Sequence, residues 1–234
     1  DHNNNDRSYQ LYLNSAGQIA ISLDPDGTGG GGIDHNTGIT LTAGTWSHIA
    51  VSFNDATDTI ETYLNGTLSN TIGYTGGIHE GVAPLLLGAQ QSVSGQQLFF
   101  NGGMDEIRIW NTARSGQEIL DNYEQQLVGN ETGLQGYWNM ANVSGTTLQD
   151  GTVNANDGAI FGSVQIHDLS ATPMPPNVNG YSLSFNSAGI NHSDVASTPI
   201  PTTQVDNMTI EAWVKWNGID TGANIHILDM GTIA

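Results

Sequence analysis

Apolar and polar residues alternate along most of the chain, in short runs. In the run containing Ile19, Ile21 and Leu23, every second residue is apolar. A period of two puts successive side chains on opposite faces of an extended strand, so each run predicts a strand with one buried face. The pattern predicts strands at about residues 8–14, 18–24, 45–54, 59–64, 84–89, 97–101, 102–111, 134–140, 158–164, 181–186, 209–216 and 225–230.

One segment, residues 116–126, has helical periodicity instead. It follows Ser115, and Glu118 stands three residues later, which fits a capping box. Its apolar stripe consists of Ile119, Leu120, Tyr123 and Leu127. About a dozen short strands with one short helix predict an all-β fold, an antiparallel sandwich of two sheets. Residues 167–180 contain three prolines and predict an extended linker.

The chain is strongly acidic, with a net charge of -19 at pH 7 and only four Lys and Arg residues. This charge would repel DNA, RNA and anionic membranes, so we expect no nucleic-acid partner. No apolar run approaches the roughly 18 residues of a membrane helix, so we expect no membrane insertion. The chain has no cysteine, which excludes disulfides and thiol chemistry.

The strand at residues 102–111 carries the first candidate metal ligand. Strict alternation puts Asp105 on the same face as Ile107 and Ile109, which are expected to face the core. A buried carboxylate needs a cation or several donors, and basic residues are scarce in this chain. Oxygen ligands favour calcium. The alternative is that Asp105 caps a turn or accepts backbone N–H groups at the rim of a sheet.

Two loops provide further candidate ligands. Asp24 and Asp26 open a D-x-D-G sequence that resembles the start of a calcium loop, but its twelfth position is His35 rather than Glu. A glycine-rich turn is the alternative. Asp150 begins a dense polar loop at residues 150–157, which predicts a turn bonded to itself or a contribution to a calcium site.

Several stretches resemble the laminin-G-like, concanavalin A-like lectin/glucanase jelly-roll family. They are YSLSFN (181–186), TIEAWVKW (209–216), TWSHIAVSFN (45–54), TIETYLNG (59–66), GGMDEIRIWNTARSGQEI (102–119) and LQGYWNM (134–140). The resemblance implies a two-sheet jelly-roll and often a calcium site. Carried over to this chain, it implies Asp105 as one ligand, with the segment around Asn186 and Ser187 supplying others.

The order of these stretches differs from that of the family, in which YSLSFN and TIEAWVKW come first. The chain is therefore either a circular permutant or one period of a tandem array, and we favour the array. Residues 1–166 then form the larger, C-terminal part of a sandwich, and residues 167–180 form a linker. Residues 181–234 supply the N-terminal strands of the next sandwich, or of the same one in a permutant.

These features favour a non-catalytic repeat of a secreted bacterial surface adhesin or filament, stabilised by Ca²⁺. It would be extracellular or on the cell surface, and neighbouring copies would complement its strands. The alternative is a carbohydrate-binding module that uses Trp213 and Trp110 as exposed platforms for glycans. The other interpretation of these two residues is that they pack beneath the helix or the linker. We expect no enzymatic activity and no catalytic residues. The E-x-D-x-x-E pattern of the related glucanases is absent from the sequence.

Overall fold

The computed structural model describes residues 6–28, 33–92, 95–162, 164–168, 181–185, 195–198, 206–218 and 224–230. The first strands along the chain are β1 (Tyr9–Leu13), β2 (Gln18–Leu23), β3 (Ile33–Thr40), β4 (Trp46–Asn54), β5 (Thr59–Leu64), β6 (Thr67–Gly73), β7 (Leu85–Leu87), β8 (Gln90–Ser92), β9 (Gly95–Gln97) and β10 (Gly102–Trp110). They are followed by helix α1 (Gly116–Asn122) and by β11 (Leu134–Trp138), β12 (Val143–Ser144), β13 (Thr147–Leu148), β14 (Gly158–Phe161), β15 (Gln165–Asp168), β16 (Tyr181–Phe185), β17 (Val195–Thr198), β18 (Asn207–Trp216) and β19 (Ile225–Met230).

The strands form two large antiparallel sheets, as the sequence predicts. The described part of the first sheet has the order β12-β13-β14-β17-β7-β19-β1-β2-β3. The second has the order β15-β16-β10-β18-β4-β5-β6, and β11 pairs with β10 beside β16. Strands β8 and β9 form a separate hairpin. The prediction of an all-β, two-sheet antiparallel jelly-roll sandwich with one short helix is confirmed.

The last strands of the chain lie in the middle of both sheets. β18 pairs with β10 on one side and with β4 on the other. β19 lies between β1 and β7. β16 pairs with β10 and with β15. Both sheets therefore combine strands from the two ends of the same chain.

Alternating side chains from the two sheets fill the space between them. Ile49, Val51 and Phe53 of β4 belong to the same buried apolar cluster as Ile210 and Val214 of β18. The residues that alternate with these core residues along β4 and β18 point to the opposite face of the second sheet, and α1 covers that face. The core thus follows directly from the period-two pattern.

Helix α1 is shorter than its periodicity predicts but begins at the expected residue. The Ser115 side chain accepts the Glu118 backbone N–H, and the Glu118 carboxylate accepts the Ser115 backbone N–H, which completes the capping box. Ile119 is buried against Ala50 and Tyr63 of the second sheet. Within the described residues, no helix has the length and apolarity needed to cross a membrane.

Several element boundaries differ from the sequence prediction. Strand β3, Ile33–Thr40, was not among the predicted strands. β6 was not predicted, because its exposed positions hide the alternation. The first two positions of the predicted linker, residues 167 and 168, belong to β15, and the remainder, 169–180, lies outside the described residues.

Candidate functional site

A β-bulge in β10 changes the predicted position of Asp105. Asp105 lies opposite Trp213, and Arg108 lies opposite Glu211, so two residues of β10 face the single residue between them on β18. Glu106 occupies the bulge with a φ of 50°. The extra residue shifts the alternation of side chains by one position. Ile107 therefore faces the core, while Asp105 lies on the opposite, outer face of the sheet together with Trp213. The prediction that Asp105 faces the core beside Ile107 and Ile109 is wrong for this reason.

The Asp105 side chain is buried, with no exposed surface, and its hydrogen bonding is incomplete. Its Oδ1 accepts the backbone N–H of Glu106 at 2.7 Å. Its Oδ2 has no hydrogen-bond partner among the described residues. Burial, together with the negative charge of Glu106, raises the pKa of Asp105 well above its usual 3.8. A cation at Oδ2 would relieve this burial cost.

The other donors of a metal site at Asp105 are only partly in view. Among the described residues, no group of three or more His, Cys, Asp or Glu side chains is placed to hold a metal ion. Asn186 and Ser187, which the family resemblance implies near this site, lie outside the described residues. The buried, unpaired oxygen of Asp105 suits a hard cation such as calcium, and calcium binding here stays a prediction.

Asp24 and Asp26 are engaged in local turns. Asp24 Oδ1 accepts the backbone N–H groups of Asp26 and Gly27, at 3.1 and 2.8 Å. Asp26 Oδ1 accepts the backbone N–H and the hydroxyl of Thr28. These hydrogen bonds to Thr28 lower the pKa of Asp26. This is the geometry of side chains that close a glycine turn.

Asp150 also organises its own loop. Its Oδ1 accepts the backbone N–H groups of Tyr137 and Thr152, both at 2.9 Å. Its Oδ2 accepts the Thr152 hydroxyl and the Asn156 N–H. Each carboxylate oxygen thus receives two hydrogen bonds, which ties the loop to β11 as the self-bonded turn interpretation expects.

Both tryptophans proposed as glycan platforms are buried. Trp213 is 4% exposed, donates from Nε1 to the Tyr123 carbonyl and stacks on the Tyr123 ring with 6.1 Å between centroids. Trp110 is 3% exposed, and the Arg114 guanidinium lies 4.1 Å above its ring. The exposed aromatic face that a glycan platform needs is therefore absent at both positions, and Trp213 packs beneath α1.

A cluster of charged residues fills the layer between α1 and the second sheet. Glu211 accepts a hydrogen bond from Arg114 at 2.7 Å, and its other oxygen lies 3.6 Å from Arg108 and 3.4 Å from His48. Glu106 accepts from Arg108 at 2.9 Å and from the Tyr137 hydroxyl at 2.8 Å. Each carboxylate is matched by a guanidinium, as burial requires.

The two arginines of this cluster also hold the helix. Arg108 donates to the carbonyls of Asn122 and Gln125 at the C-terminal end of α1, and Arg114 donates to the Glu118 carbonyl. Burial alone would raise the pKa of Glu211, but contact with His48 and the positive charges of both arginines lower it to about 2. Burial instead raises the pKa of Glu106. The cluster therefore fastens the helix to the sheet through buried guanidinium groups, with Glu211 as the carboxylate held in its ionised form.

A polar cleft opens on the outer face of the first sheet, with a volume of about 340 Å³. Its polar lining consists of Tyr12, Asn14, Gln18, Asp34, His35, Asn36 and Asn224. In β1, Leu11 and Leu13 face the core, so Tyr12 between them faces outward. Tyr12 is 8% exposed, and its ring stacks on His226 with 5.3 Å between centroids. Burial and the negative charge of Asp34 raise the pKa of Tyr12, so Asp34 lies near its hydroxyl.

The amide groups of the cleft are held in fixed orientations. Asn14 Oδ1 accepts the backbone N–H groups of Ala16 and Gln18, and its Nδ2 donates to Gln18 Oε1 at 2.9 Å. Asn36 Oδ1 accepts the Gly38 N–H at 2.9 Å. Amide N–H groups and the Asp34 carboxylate thus stand around one cavity of a size typical for small ligands. This arrangement can donate to and accept from a polyhydroxylated molecule.

A second set of polar residues lies beside the cleft, on the same outer face of the first sheet. Asp229 has no exposed surface and accepts from Gln10 Nε2 and from the Gln91 backbone N–H, both at 2.7 Å. Gln10 in turn accepts from Arg7 at 2.5 Å. Burial raises the pKa of Asp229 to about 7. This row ties the β8–β9 hairpin to the sheet beside the cleft.

Sequence reasoning missed the cleft and the charge cluster, although both left signals. The alternation that places Leu11 and Leu13 in the core also places Tyr12 on the outer face. Two of the four basic residues, Arg108 and Arg114, fall within the stretch at residues 102–119, where apolar residues alternate with charged ones, and a buried arginine requires a carboxylate. Which carboxylates pair with them depends on contacts distant in sequence.

Comparison with known proteins gives one match. The model of a family described as the concanavalin A-like lectin/glucanases superfamily matches residues 1–120, just over half of the chain. No curated protein and no solved structure matches.

Proposed function

Because the chain belongs to the concanavalin A-like lectin/glucanase superfamily, we propose that it is a non-catalytic carbohydrate-binding module whose ligand lies in the cleft beside Tyr12. The observation that carries this proposal is the cleft lining, in which an aromatic ring, a carboxylate and oriented amides surround about 340 Å³. Each sugar hydroxyl both donates and accepts hydrogen bonds, and an amide-and-carboxylate lining offers both roles.

Asp34 provides the sharpest test of the cleft. It is exposed, so its replacement should not disturb the core. Its carboxylate lies in the lining of the cleft and can accept hydrogen bonds from a sugar. We expect Asp34→Ala to weaken binding of a glycan identified on an array by at least about tenfold, since hydrogen bonds to a charged group contribute roughly 1.5–3 kcal/mol.

The matched control is Asp55→Ala, which removes one carboxylate from an exposed turn between β4 and β5, away from the cleft. Titration calorimetry should give an unchanged affinity for this variant. Equal affinities of the wild type, Asp34→Ala and Asp55→Ala for the same glycan would place its binding elsewhere and contradict the proposed site.

We also propose a second role, as a calcium-stabilised unit of a bacterial surface adhesin or filament whose neighbouring copies exchange strands outside the cell. The strand order favours it, because four strands from residues 181–230, β16, β17, β18 and β19, complete sheets that are otherwise built from residues 6–168. A neighbouring copy could supply the same strands. The unpaired oxygen of Asp105 is the feature that favours calcium.

Thermal melting with light scattering tests both parts of this second role. A ligand that binds only the folded state stabilises it by RT ln(1 + [L]/Kd), so chelation with EDTA should lower the melting temperature by several degrees. Asp105→Asn should abolish that difference. Strand exchange predicts dimers or longer species at high protein concentration. An EDTA-insensitive melt would remove calcium from the proposal, and a monomer at every concentration would remove strand exchange.

A further inference from the structure

We propose that the cleft selects uncharged saccharides and discriminates against acidic ones, with Asp34 as the residue responsible. This inference rests on the proposed carbohydrate-binding function. The cleft lining offers several hydrogen-bonding groups, and the charge that it carries is negative. A negative charge repels acidic sugars and leaves neutral sugars free to bind.

Asp34 is the charged residue in the described lining at neutral pH. The other polar lining groups are a tyrosine hydroxyl and carboxamides, together with His35. Burial lowers the pKa of His35, so this side chain is neutral at pH 7. His226, which stacks against Tyr12 from the next strand, has a pKa lowered by burial to about 3 and is neutral as well.

The nearby cation does not offset this charge. Arg7 acts electrostatically on Tyr12, but its guanidinium donates to Gln10, in the row of the sheet that holds Asp229. The charge of Arg7 also acts on Asp229, and its effect on the pKa of Tyr12 is smaller than that of Asp34. The chain as a whole carries a net charge of -19, and a uronate or sialate would approach against that field.

The carboxylate of Asp34 borders the cleft beside an oriented aromatic ring. Asp34 lies near the Tyr12 hydroxyl, and the Tyr12 ring stacks on His226. The carboxylate accepts hydrogen bonds from neutral sugar hydroxyls. The same carboxylate a few ångströms from a sugar carboxylate repels it, with an effect of about tenfold or more in affinity at a protein surface.

Matched pairs of oligosaccharides test this selectivity. We would measure the wild-type protein on hexamers of β-1,4-glucan and β-1,4-glucuronan, β-1,4-mannan and β-1,4-mannuronan, and α-1,4-galactan and α-1,4-galacturonan. Each pair differs only in oxidation at C6. In any pair that binds, we expect the neutral member to bind at least about tenfold more tightly at 50 mM salt. The difference should shrink at 500 mM salt, because salt screens exposed charges.

Asp34→Asn separates the charge from the shape of the cleft. The variant keeps the size of the side chain and one carbonyl acceptor, so we expect the preference for the neutral member to fall to within about threefold. An acidic member that binds wild type as tightly as its neutral partner, with binding lost in Asn36→Ala, would overturn the selectivity and leave the proposed function standing. A preference unchanged in Asp34→Asn would overturn the role of Asp34. Failure to bind any hexamer or any glycan of a broad array would overturn the proposed function and this inference together.

Discussion

Replacing Glu211 with glutamine should lower the free energy of unfolding by about 3–5 kcal/mol, because it leaves Arg108 and Arg114 buried without their shared carboxylate. Both guanidinium groups lie within ion-pair distance of Glu211, and all three side chains are buried beneath α1. Urea denaturation at pH 7 measures the loss. Asp121→Asn is the matched control, since it removes a carboxylate from the exposed face of the same helix and should change stability by less than about 0.5 kcal/mol.

The difference in unfolding free energy between the wild type and Glu211→Gln should also depend on pH, in a direction set by the pKa of Glu211. The pKa of Glu211 falls from an ordinary value of 4.5 to about 2 in the folded protein. The folded state therefore binds fewer protons than the unfolded state between these values, and the stability that the carboxylate contributes is present above pH 4.5. It is lost as the pH falls toward 2. The gap between wild type and Glu211→Gln should be constant from pH 7 to pH 5 and narrower at pH 3.5. A small gap at pH 7 that does not change on acidification would show that the cluster contributes little.

Trp213→Ala should be comparably destabilising, by about 3–5 kcal/mol, because it removes a large buried side chain and opens a cavity under the helix. It also leaves the Tyr123 carbonyl without the indole N–H that it accepts, and it removes the stacking partner of the Tyr123 ring. Thermal or urea unfolding measures this change. The control is Leu120→Ala, since Leu120 on the same helix is 47% exposed and should cost much less.

This variant also separates the two interpretations of Trp213. If the indole is a packing residue, Trp213→Ala below its melting temperature should bind glycan with wild-type affinity. A variant that melts like the wild type yet loses glycan binding would instead establish Trp213 as a ligand-binding residue. The 4% exposure of Trp213 favours the first outcome.

Much of the fold could be predicted from the local pattern. The strands at residues 59–64 and 225–230 match the prediction at both ends, because apolar residues recur through each run with a period close to two. The helix start followed from Ser115 and Glu118, whose mutual hydrogen bonds are local. Its end did not, because the C-terminal carbonyls are satisfied by Arg108 from another strand.

The candidate sites were less predictable, and Asp105 shows why. Its burial was expected from an acidic residue in an apolar strand, but its face was not, because one inserted residue at Glu106 reverses every side chain before it relative to those after it. The sequence does break its alternation here, with Asp105 and Glu106 together between the apolar Met104 and Ile107, but only the pairing with β18 shows that this break is a bulge. The burial of Trp110 and Trp213 was also not predictable, because it depends on which residues cover the outer face of the second sheet.

By itself, the sequence determined the fold class, the position of most strands, the capped start of the helix and the acidity that opposes binding to polyanions. These properties are set by neighbours in the chain, through side-chain alternation, local hydrogen bonds and net charge. The tertiary structure alone decided which carboxylates meet the two buried arginines, which face Asp105 occupies, and that Tyr12, Asp34 and Asn224 border one cleft. These outcomes depend on strand register and on contacts between residues up to about two hundred positions apart, which no local pattern encodes.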